Sequence, residues 1–236
     1  MSEIAVVTGG GSGVGRAVAH GLAAIGWRVA VVGRTEQALL DTIRTSSQPA
    51  EQFLACPCDI SRPADVAAMA ERVTSEFGEA TALVNCAGTN VASRQLTVLS
   101  PADWQQIVDI NLTGAFLCVH AFLPAMRRMG RGTIVNVISD AGLAANATAG
   151  AAYVASKFGL AGLTQSINAE HRADGVRACG IFPGEINTPL LDKRPSPPPQ
   201  EKRLQMLQAD DVAACVLLAI TLPPRAVVEQ LVVRPR

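Results

Sequence analysis

The apolar run Ile4–Thr8 leads directly into Gly9-Gly10-Gly11-Ser12-Gly13-Val14-Gly15, and an amphipathic segment follows from Arg16 to Gly26. This opening constrains the fold more than any other stretch. Glycines at 9, 13 and 15 let the backbone reverse sharply and approach a ligand or a neighbouring chain segment at a distance that a side chain would forbid. Strand, tight turn and helix in that order make the first half of a βα unit. The spacing is G-x-x-x-G-x-G rather than the usual G-x-G-x-x-G of a dinucleotide turn. The physical opportunity is the same, because a helix N-terminus behind such a turn offers unpaired N–H groups and a positive dipole end to a phosphate.

The rest of the chain repeats the alternation. Arg28–Val32 is an almost continuous apolar run of the kind buried on both faces in a parallel sheet. A helix near Glu36–Thr45, a strand near Gln52–Cys58, a helix Ala64–Phe77 and a strand Ala82–Cys86 follow. Pro101–Arg128 reads as one long helix that Pro124 should kink or shorten. Strands Ile134–Ile138, Val176–Phe182 and Val227–Val233 alternate with helices Gly150–Ala173 and Asp210–Ile220. Seven strands separated by helices predict an α/β fold: a three-layer, doubly wound, mostly parallel seven-stranded sheet flanked by helices. The 236 residues suit a single domain, 1–236, and the proline-rich stretch within 189–208 reads as a surface excursion placed to cover a substrate.

Ligands in such sheets bind beyond the carboxyl ends of the strands. The end of the second strand therefore faces a cofactor ribose. An acid there accepts the 2′-hydroxyl of NAD, whereas an arginine suits the 2′-phosphate of NADP. Gly33 occupies the acid's position and Arg34 follows, which favours NADP(H), with NAD(H) as the second choice. Ser139 lies just past the end of the fifth strand, where chemistry is expected.

Tyr153-Val-Ala-Ser-Lys157 lies on a segment with helical periodicity, so the phenol of Tyr153 and the ammonium of Lys157, four residues apart, share a face. A phenol ionises only near pKa ~10, and a cation beside it brings that value toward the working range of a general acid or base. Tyr153 is the chain's only tyrosine.

Twenty basic and twenty acidic residues give a net charge of zero and a pI of about 6.8, with no basic block, so no nucleic-acid partner is expected. The apolar runs read as strand-sized and the N-terminus lacks a signal-type core, which predicts a cytoplasmic protein with no membrane association. The six cysteines are scattered, mostly in apolar stretches, and read as reduced core thiols, with a Cys56–Cys58 pair as the alternative. No zinc-type pattern accompanies His20, His120 or His171, so no metal site is expected.

Taken together these stretches resemble the short-chain dehydrogenase/reductase family in its single-domain branch of about 250 residues, a Rossmann fold. Thr8-Gly9-x-x-x-Gly13-x-Gly15 matches the family's cofactor turn, Asp59-Ile60 the pair that flanks the adenine, and Asn85-Cys86-Ala87-Gly88 the stretch after the fourth strand. Asn111, Ser139, Tyr153 and Lys157 match the four catalytic positions, and Pro183-Gly184-x-x-x-Thr188 the segment over the nicotinamide. The resemblance implies hydride transfer between a nicotinamide cofactor and a small carbonyl or alcohol substrate. Tyr153 would act as general acid and base, Lys157 would lower its pKa and bind the ribose, Ser139 would hold the substrate oxygen, and Asn111 would position a water. It also implies cofactor contacts from Gly9, Ser12, Gly13, Val14, Gly15, Arg34, Asp59, Ile60, Asn85, Ala87, Gly88, Pro183, Gly184, Ile186 and Thr188, with Asn85 weighted toward tying strands together.

Three departures shape further expectations. The loop between Ser139 and Tyr153 is one residue longer than is common in the family. The C-terminal tail lacks the usual Gly-rich ending. Asp140 and Glu185 near the pocket mouth read as solvated loop acids, with recognition of a cationic or amine-bearing substrate as the alternative. Residues Ala151, Ala155, Leu163 and Ile167 exceed what one core face needs, and predict a homodimer or homotetramer through the helices Pro101–Arg128 and Gly150–Ala173. A catalytically idle relative that senses cofactor or binds a partner is the competing reading, and intact Ser139, Tyr153 and Lys157 argue against it.

Overall fold

A computed structural model describes residues 3–236. Seven strands, β1 (Ile4–Thr8), β2 (Arg28–Gly33), β3 (Phe53–Pro57), β4 (Ala82–Asn85), β5 (Gly132–Val137), β6 (Val176–Pro183) and β7 (Gln230–Val233), form one sheet in the order β3-β2-β1-β4-β5-β6-β7. Every pairing is parallel, so the sheet is parallel throughout rather than mostly so. The strand order reverses between β1 and β4, which opens the crevice where ligands of such sheets bind.

The period of two along the strands divides the core in half. Ala5, Val7, Val29 and Val31 face one side and pack against α1 (Gly13–Ala24) and α8 (Ala209–Thr221) through Val18, Leu22, Val212 and Val216. Ile4, Val6, Ala30 and Val32 face the other. There they meet α3 (Pro63–Glu76) and α5 (Gly114–Met129) through Val66, Val73, Cys118 and Phe122. Helix α2 (Glu36–Arg44) closes the edge near β3. Because both faces are covered, the central strands need apolar residues at consecutive positions, which is how they read in the sequence.

The long helix expected over Pro101–Arg128 is present but divided. Helix α4 (Pro101–Val108) passes through a π turn, Asp109–Thr113, into α5 without leaving the helical path. Pro124 neither ends nor shortens it. Pro124 and His120, whose carbonyl loses its donor to the proline, both lie on the exposed face, so the lost bond is not a buried one. By length and mean hydropathy alone Pro101–Met129 could cross a membrane, although Asp109, Asn111, Thr113 and His120 keep its unbroken apolar runs strand-sized. Here it lies along the sheet with Ile107, Cys118, Phe122 and Met126 in the interior.

Helix α6 (Ala151–His171) covers the sheet beside α4 and α5 and carries Tyr153 and Lys157. The excursion after β6 folds into a 3-10 turn at Pro189–Lys193 and a short α7 (Gln200–Leu204), anchored where Leu207 N–H donates to Glu185 O at 3.0 Å and Asn187 N–H to Leu207 O at 2.8 Å. The last strand begins at Gln230 rather than Val227, because Arg177 gathers the carbonyls of Ile220, Leu222, Pro223 and Ala226 and holds the preceding chain in a loop. Cys56, Cys58, Cys118 and Cys179 are buried free thiols, while Cys86 and Cys215 are partly exposed.

Candidate active site

The glycine turn between β1 and α1 is packed so tightly that side chains could not replace its hydrogens. Gly9 has φ +68°, and a Cβ there would lie 2.9 Å from the Ala87 backbone; one on Gly15 would lie 2.3 Å from the Gly9 oxygen. The turn's carbonyls are tied back into the protein. Thr42 Oγ1 donates to Gly10 O at 2.9 Å, and Arg16 Nη2 donates to Gly11 O at 2.5 Å. The Ser12 side chain makes no capping bond to the first turn of α1. Its N–H groups at Gly13, Val14 and Gly15 therefore open toward the crevice, a donor set suited to a phosphate. Thr8 Oγ1 accepts the Ala87 N–H at 3.2 Å and locks this turn to the end of β4.

One cavity of about 480 Å³ joins this turn to the catalytic candidates. Gly9, Ser12, Gly13, Val14, Gly15, Ala87, Gly88, Ser139, Tyr153, Lys157, Pro183, Gly184, Ile186 and Thr188 all line it. Thr188 reaches across to within 3.2 Å of where a Cβ on Gly13 would stand, so the segment after β6 closes over the turn. Arg34 lies outside this cavity, exposed at the end of β2, with no hydrogen-bond partner among the described residues. Its charge helps hold the nearby Asp59 carboxylate low: burial pushes that group up, and two bonds from Ser61 with the charges of Arg34 and Arg62 outweigh it.

Three further candidates sit beneath the cavity. The Ile60 side chain belongs to the core, 2.7 Å from where a Cβ on Gly114 would lie, which leaves only its backbone for a cofactor. Asn85 donates to Asn136 Oδ1 at 2.9 Å, and Asn136 donates to Thr164 Oγ1 at 2.9 Å, tying β4 and β5 to α6. This supports the strand-tying role for Asn85. Asn111, fully buried in the π turn, accepts the Thr89 N–H at 2.7 Å, and its amide donates to Thr89 O at 3.0 Å and Ser156 Oγ at 3.1 Å. A wide turn is what lets this side chain reach both the loop after β4 and α6.

Ser139 has φ 149° and ψ 158°, a region that belongs almost entirely to glycine and costs about 1–3 kcal/mol. Strain of this kind persists where the surroundings fix it. Here Ser139 Oγ accepts the Ala141 N–H at 3.2 Å and donates to Asp140 Oδ1 at 3.2 Å. Tyr153 stands beside it. Burial raises the phenol above its ordinary value; the Ser139 hydroxyl lowers it, Asp140 raises it, and the guanidinium groups of Arg94 and Arg194 lower it. Lys157 Nζ lies 5.6 Å from the Tyr153 ring centre and donates to Val137 O at 3.0 Å, and burial lowers its own pKa to about 8. Arg94 and Arg194, two cations that bear on the phenol, were not among the sequence-based candidates. Both come from pocket loops whose course depends on tertiary contacts.

The acids proposed for an amine-bearing substrate are already engaged. Arg194 Nη1 donates to Glu185 Oε1 at 2.7 Å, and Asp140 accepts from Ser139. Of the residues expected beyond one core face of α6, Ile167 is buried in the main core and Leu163 packs against it. The exposed aromatic residues in that region are Trp104, Phe116 and Phe158.

A family model described as short chain dehydrogenase matches residues 3–198. The chain is 37% identical over 194 residues to the short-chain reductase protein NovJ of Streptomyces niveus, covering 82% of this chain and 72% of that protein. It is 33% identical over 196 residues to a D-beta-hydroxybutyrate dehydrogenase of Rhizobium meliloti, covering 82% and 75%. A metagenomic short-chain oxidoreductase solved in complex with NADP superposes with a TM-score of 0.82 at 31% identity, over 99% of this chain and 97% of that one.

Proposed function

The chain belongs to the short-chain dehydrogenase family, oxidoreductases acting on hydroxyl groups, and we propose that it interconverts a ketone or aldehyde with its alcohol using NADP(H) in preference to NAD(H). The observation that carries this reading is the single cavity shared by the glycine turn, Ser139, Tyr153 and Lys157. The packed glycines and the uncapped start of α1 fit a dinucleotide pyrophosphate, and Arg34 at the end of β2 fits a 2′-phosphate. Pro183, Gly184, Ile186 and Thr188 would cover the nicotinamide.

The bound cofactor supplies or accepts the hydride, and the chain's own residues handle the oxygen and its proton. In reduction the Ser139 hydroxyl would turn from Asp140 to donate to the carbonyl oxygen, holding it near Tyr153, whose phenol gives it a proton as the carbon takes the hydride. Burial, which raises the phenol's pKa, keeps that proton available at neutral pH. In oxidation Tyr153 takes the proton back, helped by the positive charge around it. Lys157, which lines the same cavity, would hold the ribose hydroxyls of the cofactor. Asn111 acts by fixing Thr89 and Ser156 through its side-chain amide.

Six free cysteines fit a cytoplasmic, reducing setting. Exposed Trp104, Phe116 and Phe158 on α4, α5 and α6 support a homodimer or homotetramer, and a monomer in sedimentation at micromolar concentration would contradict it. The cofactor proposal is tested by titrating NADPH and NADH separately, following nicotinamide fluorescence, with wild type, Arg34→Ser and Tyr153→Phe. Arg34→Ser should weaken NADPH about 10-fold or more and leave NADH within about twofold. Tyr153→Phe should bind both and lose turnover by about 100-fold or more. Equal losses for both nucleotides would remove Arg34 from the site, and no binding of either would remove the oxidoreductase reading.

A further inference from the structure

Arg94 is 6% exposed, yet it has no carboxylate partner among the described residues. Its guanidinium donates to three carbonyls on three loops: Nε to Val91 O at 2.7 Å, Nη1 to Thr148 O at 3.3 Å and Nη2 to Lys193 O at 2.7 Å. A guanidinium has five N–H groups in a fixed fork, so one donor remains on each terminal nitrogen. Carbonyl dipoles position a cation but do not neutralise it, and a charge buried this far is costly without an opposite charge.

Its neighbour sharpens the point. Arg194 also lines the catalytic cavity, and its one carboxylate partner is Glu185. The ionisable side chains other than thiols and Tyr153 on that cavity are three cations, Arg94, Lys157 and Arg194, against two acids, Asp140 and Glu185, an excess of one positive charge. Arg94 and Arg194 also line an outer cavity of about 700 Å³, so they stand at the wall between it and the catalytic cavity.

Resting on the proposed carbonyl–alcohol chemistry, we infer that the substrate carries a carboxylate, bound at this wall by the remaining N–H groups of Arg94 and by Arg194 while its reacting carbon faces Ser139 and Tyr153. A planar carboxylate matches the paired donors of a guanidinium fork and neutralises the buried charge that Arg94 carries without a carboxylate partner. An amine-bearing group would meet two arginines there.

The test is calorimetric titration of butyrate and of its neutral counterpart butyramide, with and without saturating NADP⁺, into wild type, Arg94→Gln and Arg194→Gln. Wild type should bind butyrate at least 10-fold more tightly than butyramide, and each variant should bring that ratio close to one while leaving butyramide affinity within about twofold. A purely structural role for Arg94 would weaken both ligands together and leave the ratio unchanged. Should Arg94→Gln fail to fold, Arg194→Gln decides alone. A wild-type ratio near one, no binding of either compound, or a ratio that Arg194→Gln leaves intact would each overturn the inference. Failure of the oxidoreductase reading is separate, because it shows as no NADP⁺ binding while the cofactor-free titrations still report the carboxylate preference.

Discussion

Replacing Lys157 with methionine should destroy activity and stabilise the cofactor-free protein at neutral pH. The side chain is 3% exposed, and burial lowers its pKa from 10.5 to about 8. A shift of this size means that holding the ammonium in the fold at pH 7 costs about 3 kcal/mol. Methionine has similar reach and no charge, but it abandons the hydrogen bond to Val137 O, which offsets about 1 kcal/mol. A net gain of about 2 kcal/mol is expected, or about 4–8 °C in Tm for a chain of this length. The pH dependence has a definite sign. Between pH 8 and 10.5 the unfolded chain keeps the proton that the native state has released, so wild-type stability rises with pH through that window. The variant lacks this term, and its advantage should shrink above pH 8 and reverse by about 1 kcal/mol near pH 10.5. Urea denaturation of both proteins under reducing conditions at pH 7, 9 and 10.5 measures the difference, and groups common to both cancel. A variant less stable at pH 7, or a difference that does not change with pH, would refute the reasoning.

Ser139→Gly should be more stable than Ser139→Ala by roughly 1–2 kcal/mol, because both lose the hydroxyl and only glycine accepts φ 149°; equal denaturant midpoints would show that the backbone there is unstrained. Gly15→Ala places a Cβ 2.3 Å from the Gly9 oxygen and should abolish nucleotide binding in a fluorescence titration. Gly162→Ala meets nothing within 4 Å on the exposed side of α6 and should instead raise stability by about 0.8 kcal/mol, read as a higher urea midpoint.

The order of strands and helices was legible because the central strands are buried on both faces and therefore carry unbroken apolar runs, as β1 and β2 do. The glycine turn, Ser139, Tyr153 and Lys157 were legible because each is set by local spacing: a turn behind a strand, a strand end, and two positions one helical turn apart. Asp140 is held by the hydroxyl of its own neighbour, Ser139, whereas Glu185 was read as an open acid because its partner arrives from further along the chain. Nothing near Glu185 in the chain announces that Arg194 folds back to pair with it. Arg94 was invisible for the same reason, since its environment is built from Thr148 and Lys193, 54 and 99 residues away. The assignment of Ile60 to the cofactor overlooked the other demand on it, which is to fill the space left by Gly114.

The π turn at Asp109–Thr113 sets the rotational phase of everything that follows it. Counted at 100° per residue in an unbroken α-helix, Phe122 and Met126 would stand about 60° and 100° around the axis from Ile107, spread over the full width of a core-facing stripe. The additional residue in the wide turn absorbs about one step, which brings them within about 40° of Ile107. All three are 3% exposed or less. A single-residue deletion inside 109–113 is therefore a rotation of one half of the helix against the other, felt at Met126 as much as at Asn111. Length in this helix is fixed by the site and by the core at once.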